Sequence, residues 1–152
     1  MKLVASFAFV GLAACQPEPS SCILDIGVDI SNVPVHIYNN TLRGTNGMFT
    51  NITHNCAGGG TVKLSGTVNS STTAYNFTGT ATMCVDNNLK LDGQFQASSD
   101  GTNDTVIATA LHIYSTTESS CKADPIDATC DIDVISSSTT VTDVTVCGLT
   151  YP

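Results

Sequence analysis

The sequence lacks tryptophan and has few cationic side chains: 5 Lys and Arg stand against 13 Asp and Glu, for a formal net charge of −8. A chain this acidic has no electrostatic footprint for a phosphate backbone, which excludes nucleic acid as a partner. It also lacks the Gly-x-Ser-x-Gly and His-Glu-x-x-His patterns that mark common hydrolases. With 12% charged residues and abundant Ser, Thr, Gly and Asn, the composition is typical of an extracytoplasmic β protein.

Long apolar runs are also missing. The run at residues 3–12 (LVASFAFVGL) is too short to cross a bilayer as a helix, which needs about 20 residues. Lys2 precedes it and Leu12-Ala13-Ala14-Cys15 closes it, the order of a targeting signal with a small-residue cleavage site. This ending resembles the lipobox of bacterial lipoproteins, whose cysteine receives the lipid and becomes the new N-terminus. The resemblance implies a signal peptide at 1–14 and a lipidated Cys15 with a short tether at 15–21. The length of the rest of the chain, 22–152, predicts a single domain, and its alternating residue pattern predicts that this is a β domain.

The same resemblance implies where the protein sits. Lipoprotein processing would cut before Cys15 and anchor the exported chain in a membrane, and Gln16 after the cysteine implies the outer membrane in that class. An ordinary signal peptidase, reading Ala13-x-Cys15, would cut after Cys15 and release a secreted protein. Both alternatives place the mature domain outside the cytoplasm.

Six cysteines follow the signal segment, an even number that predicts three disulfides in an oxidising compartment, drawn from fifteen connectivities. No Cys-x-x-Cys pair is present, so the spacing does not favour a zinc site. The cysteines are Cys22, Cys56, Cys84, Cys121, Cys130 and Cys147.

Hairpin symmetry suggests which cysteines pair. Cys56 and Cys84 flank the hairpin that turns at Ser70, and Cys130 and Cys147 flank the final hairpin, which leaves Cys22 for Cys121. Ends of an antiparallel hairpin come close enough for a disulfide, which needs Cα atoms about 5–6 Å apart. An ideal ladder, however, puts Cys130 and Cys147 on opposite faces, so a bulge or Gly148 would have to correct this. Cys121–Cys130 is the competing pairing.

Apolar residues alternate with polar ones through most of the chain, and β-branched residues dominate. Residues 24–37 predict a hairpin, with Pro34 on an edge strand because it cannot donate to a ladder. Residues 39–60 predict a loop, and residues 115–129 another. Strands are predicted at 61–68, 75–83 and 89–97, at 105–114 with both faces covered, and in a last hairpin over 130–146. Short strands joined by turns predict an all-β, antiparallel sandwich or barrel-like domain with disulfides.

Candidate sites are few. The three histidines, His36, His54 and His112, show no ligand spacing, so structural roles are predicted for them. Calcium could bind the acidic segments Asp100–Asp104 and Asp124–Asp127 with Asp131 and Asp133, but solvated turns are the preferred interpretation, and neither a metal nor a cofactor is predicted. Five segments match the N-glycosylation pattern, beginning at Asn39, Asn51, Asn69, Asn76 and Asn103.

Three functional hypotheses remain. The first is a lipid-anchored envelope protein whose disulfide-linked β domain binds a protein or a glycan, or serves a structural role. The second is an extracytoplasmic hydrolase acting on glycans through a pair of Asp carboxylates. The third is a secreted, N-glycosylated eukaryotic domain.

Overall fold

A computed structural model of the protein describes residues 19–115, 126–137 and 140–151. These described residues form one helix and eight strands. The helix α1 spans Pro19–Ile37 and continues into a π-helical turn, Tyr38–Leu42. The strands are β1 (Gly47–Asn55), β2 (Thr61–Asn69), β3 (Ala74–Asp86), β4 (Leu89–Ser99), β5 (Asn103–Ser115), β6 (Ile126–Ser137), β7 (Val141–Val146) and β8 (Leu149–Tyr151).

All eight strands form one antiparallel sheet in which every strand pairs with its neighbours in sequence, in the order β1 to β8. The predicted antiparallel β architecture is therefore confirmed. The strands predicted at 61–68, 75–83 and 89–97 correspond to β2, β3 and β4, and the last predicted hairpin corresponds to β6 and β7. The sheet is not closed: within the described residues, β1 and β8 are its two unpaired edges.

The hairpin predicted over residues 24–37 is wrong, because this segment is the helix α1. Its buried residues Ile23, Ile26, Ile30, Val33 and Ile37 are spaced three or four apart, which puts them on one helical face. The alternation of Leu24, Ile26, Val28 and Ile30 is real but does not follow the buried face. Pro34 lies inside the helix, where it lacks the N–H that would bond to the carbonyl of Ile30.

The loop predicted over residues 39–60 is also wrong in part, since β1 occupies its second half. Its alternation is interrupted by a register shift between Phe49 and Ile52, where Asn51 has a φ of +55°. A bulge of this kind moves successive side chains to the other face and hides the period of two. The short edge strand β8 and the first residues of β6, Ile126 to Thr129, likewise fall outside the predicted strands.

The sheet is covered on one face. Alternate residues of β2 to β7 and the buried face of α1 form a single apolar cluster, and α1 packs against β4 to β8. The helix lies against β7 at Gly27, where an added Cβ would lie 2.5 Å from Val144 Cγ2. The opposite face consists mainly of Thr, Ser, Asn, Gln and Asp side chains.

Contrary to the sequence-based expectation, β5 is covered on one face only. Val106, Ala108, Leu111 and Ile113 are buried, whereas Ile107 is 47% exposed on the other face. The buried set changes parity at Ala110, which has a φ of +53° within a register shift between Ala108 and Leu111. The bulge therefore makes a strand with one buried face look apolar on both.

Two disulfides are described in full, and both match the hairpin argument. Cys56 pairs with Cys84, with Cα atoms 5.5 Å apart, and Cys130 pairs with Cys147, with Cα atoms 4.8 Å apart. Cys147 and Gly148 both have positive φ, at +54° and +75°, as in the two-residue turn that joins β7 to β8. This left-handed backbone takes Cys147 out of the regular alternation and lets it reach Cys130. Cys22 is also disulfide-bonded.

Disulfides form and persist in oxidising, extracytoplasmic compartments. The bonded cysteines therefore indicate that the domain functions outside the cytoplasm, as predicted. In the part of the chain that the structure describes, no helix has the length and apolar character needed to span a membrane.

Candidate functional site

A groove runs along one end of the sheet, beside α1. Its floor is a row of residues that face each other across five neighbouring strands. Tyr75 pairs with Ser99, Ser99 with Asp104, Asp104 with Ser136, and Ser136 with Val141. All five residues line the cavities on the helix side of the sheet. Because adjacent strands lie about 4.8 Å apart, the row extends over about 19 Å.

The larger part of the groove, which we call the apolar lobe, is a cavity of about 670 Å³ between α1 and the ends of β5 to β8. Leu24, Val28 and Val35 of α1 line one side, and Val141 and Tyr151 line the other. Val28 is 38% exposed, so the wall presents apolar surface to solvent rather than to the core. The volume lies in the range of small-molecule sites, which combine apolar walls with a few polar groups.

The polar groups of the apolar lobe lie on its floor and rim. They include the hydroxyls of Ser31, Ser136, Ser137 and Thr140. Ser31 Oγ donates to the carbonyl of Val28 at 2.9 Å, and Ser137 Oγ donates to the carbonyl of Thr140 at 3.2 Å. The Ser31 and Ser137 hydroxyls are therefore held by nearby backbone carbonyls, and their oxygens retain lone pairs that can accept from a ligand.

The smaller part, the aromatic lobe, is a cavity of about 230 Å³ that shares Val35 and Asp104 with the apolar lobe. Tyr38 of the π-helical turn and Tyr75 of β3 stack here, with ring centroids 5.8 Å apart. The two lobes share these residues and therefore lie side by side, with Asp104 at their boundary; together they form what we call the groove.

Asp104 is the only charged side chain among the described residues that line either lobe. Its Oδ1 accepts a hydrogen bond from the Tyr75 hydroxyl at 2.7 Å. Burial, followed by this bond and the adjacent carboxylate charge, raises the pKa of Tyr75 well above its ordinary value of 10.0. Tyr75 therefore remains a neutral donor that fixes the carboxylate in place.

A second cluster joins the end of α1 to the far ends of β1 and β3. His36 Nδ1 lies 2.7 Å from Asp86 Oδ2, and His54 Nδ1 lies 2.7 Å from Thr41 Oγ1. His36, His54 and Asp86 line one cavity of about 400 Å³. The sequence separates these residues by 18 and 32 positions, so no motif indicates that they meet.

Within this cluster, His54 is buried and its pKa is lowered below the ordinary value of 6.5. Desolvation is the largest cause; the negative charge of Asp86 opposes it and the proximity of His36 reinforces it. Each Nδ1 is occupied by a side-chain oxygen, a pattern that fixes the orientation of an imidazole ring. Among the described residues, however, no three His, Cys, Asp or Glu side chains are arranged to hold a metal ion. The arrangement links the helix to the sheet.

The acidic segments considered for calcium behave as turns or surface pairs. Asp100 Oδ1 accepts from the backbone N–H groups of Asn103 and Thr102, at 2.7 and 2.8 Å, and these bonds lower the pKa of Asp100. Asp131 Oδ1 accepts from the N–H of Ala110 in the β5 bulge. Asp133 is exposed on β6, and Asp124 lies outside the described residues.

The remaining predicted residues occupy separate places. His112 pairs with Asp127 at 2.8 Å on the exposed face of the sheet. The five asparagines of the glycosylation patterns, Asn39, Asn51, Asn69, Asn76 and Asn103, are all exposed. Cys15 and Cys121 lie outside the described residues.

The sequence pattern of α1 does not reveal the groove, because the residues that line it form a helical stripe within an alternating segment. Leu24, Val28, Ser31 and Val35 are spaced four, three and four apart, so they form a second helical stripe beside the buried one. If this segment is interpreted as a strand, its period of two does not group these four residues on one face. The sequence indicates Asp104 only as a calcium candidate, because its partner Tyr75 lies two strands away.

Comparisons with protein-family models, with curated proteins and with solved structures give no match to this chain.

Proposed function

We propose that the protein is an exported binding domain that holds a small, partly apolar molecule in the groove between α1 and the sheet. The observation that carries this proposal is the apolar lobe, where aliphatic side chains of α1 face solvent-accessible space instead of the core. Burying such a surface against an apolar ligand stabilises the complex by about 25 cal/mol per Å². Binding proteins commonly place sites of this kind between packed elements.

The test of the groove uses a neutral fluorescent apolar probe, N-phenyl-1-naphthylamine, titrated against the mature protein. We expect saturable binding with one site per chain. Val28→Glu should weaken it at least tenfold, because a carboxylate would enter the apolar wall. The matched control is Ile107→Glu, which makes the same change at an exposed aliphatic residue on the other face of the sheet and should leave binding intact. Equal loss in both variants, or no saturable binding by the wild-type protein, would contradict the proposal.

We further propose that the domain is anchored to the outer membrane through a lipid on Cys15. The Leu12-Ala13-Ala14-Cys15 order supports this, and so does the extracytoplasmic location that the disulfides indicate. Each acyl CH₂ buried in the bilayer contributes about 0.8 kcal/mol, so several chains hold a protein firmly. The wild-type protein should therefore partition with membranes, and Cys15→Ser should release it or leave it unprocessed. Fully soluble wild-type protein beginning at Gln16 would refute the anchor.

The rival proposal of a secreted glycoprotein rests on the exposure of all five acceptor asparagines. The mass of the intact mature protein from its native host separates the two, because acyl chains and glycans add different masses. The hydrolase hypothesis gains no support from the described pockets. Asp104 lines both lobes of the groove and Asp86 lines the histidine cavity, but no two Asp residues share one of these sites.

A further inference from the structure

The groove has a chemical polarity that restricts what it can bind. One carboxylate, Asp104, stands near the middle of the floor, and no Lys, Arg or His side chain is among the described residues that line either lobe. An anionic ligand group placed there would meet a like charge without any cation to offset it. The chain as a whole, with a net charge of −8, adds to this repulsion.

We propose, building on the groove-binding function above, that the natural ligand is a cationic amphiphile whose ammonium group binds Asp104 and whose hydrocarbon chain lies in the apolar lobe. Tyr75 holds Asp104 Oδ1 at 2.7 Å, so the carboxylate is oriented before the ligand arrives. A hydrogen-bonded charge pair that is partly removed from water contributes more than an exposed pair.

The two lobes fit the two ends of such a molecule. From Asp104 on β5, the floor runs through Ser136 to Val141 on β7, a distance of two strand spacings or about 10 Å. Leu24 and Val28 flank this path along α1, which suits a hydrocarbon chain.

On the other side of Asp104, the stacked rings of Tyr38 and Tyr75 line the aromatic lobe. Their faces are turned toward each other, so the pair forms a wall beside the head-group end of the ligand. The Asp104 carboxylate binds the ammonium group at that end, and the aliphatic wall contacts the other end.

Three probes with the same chain and different head groups test this inference: decylammonium chloride, 1-decanol and sodium decanoate, each titrated by calorimetry into the mature protein at pH 7.5, below any micelle concentration. We expect decylammonium to bind at least tenfold more tightly than decanol, and decanoate to bind most weakly. Asp104→Asn keeps an oxygen acceptor for Tyr75 but removes the charge. It should bring decylammonium to the affinity of decanol while leaving decanol unchanged, which also shows that the variant is folded.

The matched control is Asp133→Asn, which removes one negative charge from the exposed face of β6 and should leave all three affinities unchanged. If Asp133→Asn weakens decylammonium as much as Asp104→Asn does, the attraction comes from the net charge and the inference is overturned. If decylammonium and decanol bind equally to the wild-type protein, the head-group assignment fails while the groove proposal stands. If none of the three probes binds, the groove proposal itself fails, and this inference with it.

Discussion

Gly27 on α1 lies against Val144 on β7, so closely that a Cβ at position 27 would lie 2.5 Å from Val144 Cγ2 and 2.8 Å from Val144 Cγ1. Gly27→Ala should therefore destabilise the fold by about 1–3 kcal/mol, since overpacking of a filled core exceeds the gain of up to about 1 kcal/mol from replacing glycine in a helix. Chemical denaturation of the purified domain measures the change.

A second variant shows whether the contact itself is responsible. Val144→Ala removes the two methyl groups that an alanine at 27 would meet. In that background, Gly27→Ala should become neutral or stabilising. If the losses in free energy of unfolding of the two single variants simply add in the double variant, the packing of α1 on β7 is contradicted. Independent sites are additive, whereas sites in contact are not.

Much of the sheet could be predicted from the sequence, because β2, β3 and β4 alternate with few interruptions in their buried pattern. Where prediction failed, two patterns overlapped. Ile26 and Ile30 belong both to an alternating series and to the helical series that the fold uses, so a local reading of α1 is ambiguous. The groove could not be predicted, because Tyr75 and Asp104 meet only once three strands are in register. The bulges at Asn51 and Ala110 could not be predicted either, because the composition does not show where a strand moves its side chains to the other face of the sheet.

The buried His54 predicts a loss of stability in mild acid. Its folded pKa is lowered from 6.5, mainly by desolvation, so as pH falls the unfolded chain takes up the proton first. Stability from this group is thus fully present above pH 6.5 and is lost as pH falls from there toward the folded pKa. Asp86, His36 and Thr41 are the groups around it.

The measurement is the free energy of unfolding between pH 5 and 8. His54→Gln, which stays neutral and can still bond to Thr41, should flatten the decline below pH 6.5. His112→Gln, at an exposed histidine on the other face of the sheet, should leave the decline in place. A wild-type profile that is flat across this range, or one that both variants change equally, would count against the role of burial at His54.

The buried Tyr75 predicts a loss of stability at alkaline pH. Its folded pKa is raised above 10.0, first by burial and then by Asp104, so the unfolded chain releases the proton more readily. Stability from this group is present below pH 10 and is lost as pH rises above it. Tyr75→Phe should lower stability at pH 7 by about 1–2 kcal/mol through loss of the hydrogen bond and should reduce the decline above pH 10. Tyr114→Phe, on the outer face, should do neither. An unchanged alkaline decline in Tyr75→Phe would refute this account.

The two described disulfides should contribute unequally. The Cys56–Cys84 bond closes a separation of 28 residues and the Cys130–Cys147 bond one of 17. In the chain-entropy account these closures stabilise the fold by about 3.6 and about 3.1 kcal/mol. The double variants Cys56→Ser/Cys84→Ser and Cys130→Ser/Cys147→Ser should lose stability in that order under denaturant. The reverse order would show that local packing, rather than loop length, decides the contribution.

The last prediction concerns Cys22, which is disulfide-bonded at the start of the described part of α1. Hairpin symmetry in the sequence predicts Cys121 as its partner. The pairings Cys56–Cys84 and Cys130–Cys147 account for four of the six cysteines that follow the signal segment. They also exclude the alternative Cys121–Cys130 from this fold. A Cys22–Cys121 bond would tie the helix that lines the groove to the segment between β5 and β6, and so would limit the movement of α1 away from the sheet.

Peptide mapping without reduction tests this directly. Digestion of the mature protein should give a linked pair of peptides that contain Cys22 and Cys121, and thiol titration of the denatured protein should find almost no free cysteine. Replacing both residues with serine should loosen α1. Amide exchange at Ile23 to Ile30 should then become faster than in the wild-type protein, while exchange in β3 changes less. A free thiol at Cys121 would refute the pairing. A linked peptide joining Cys22 to Cys15 would refute the pairing and also the lipid anchor, because the Cys15 thiol would then be held in a disulfide.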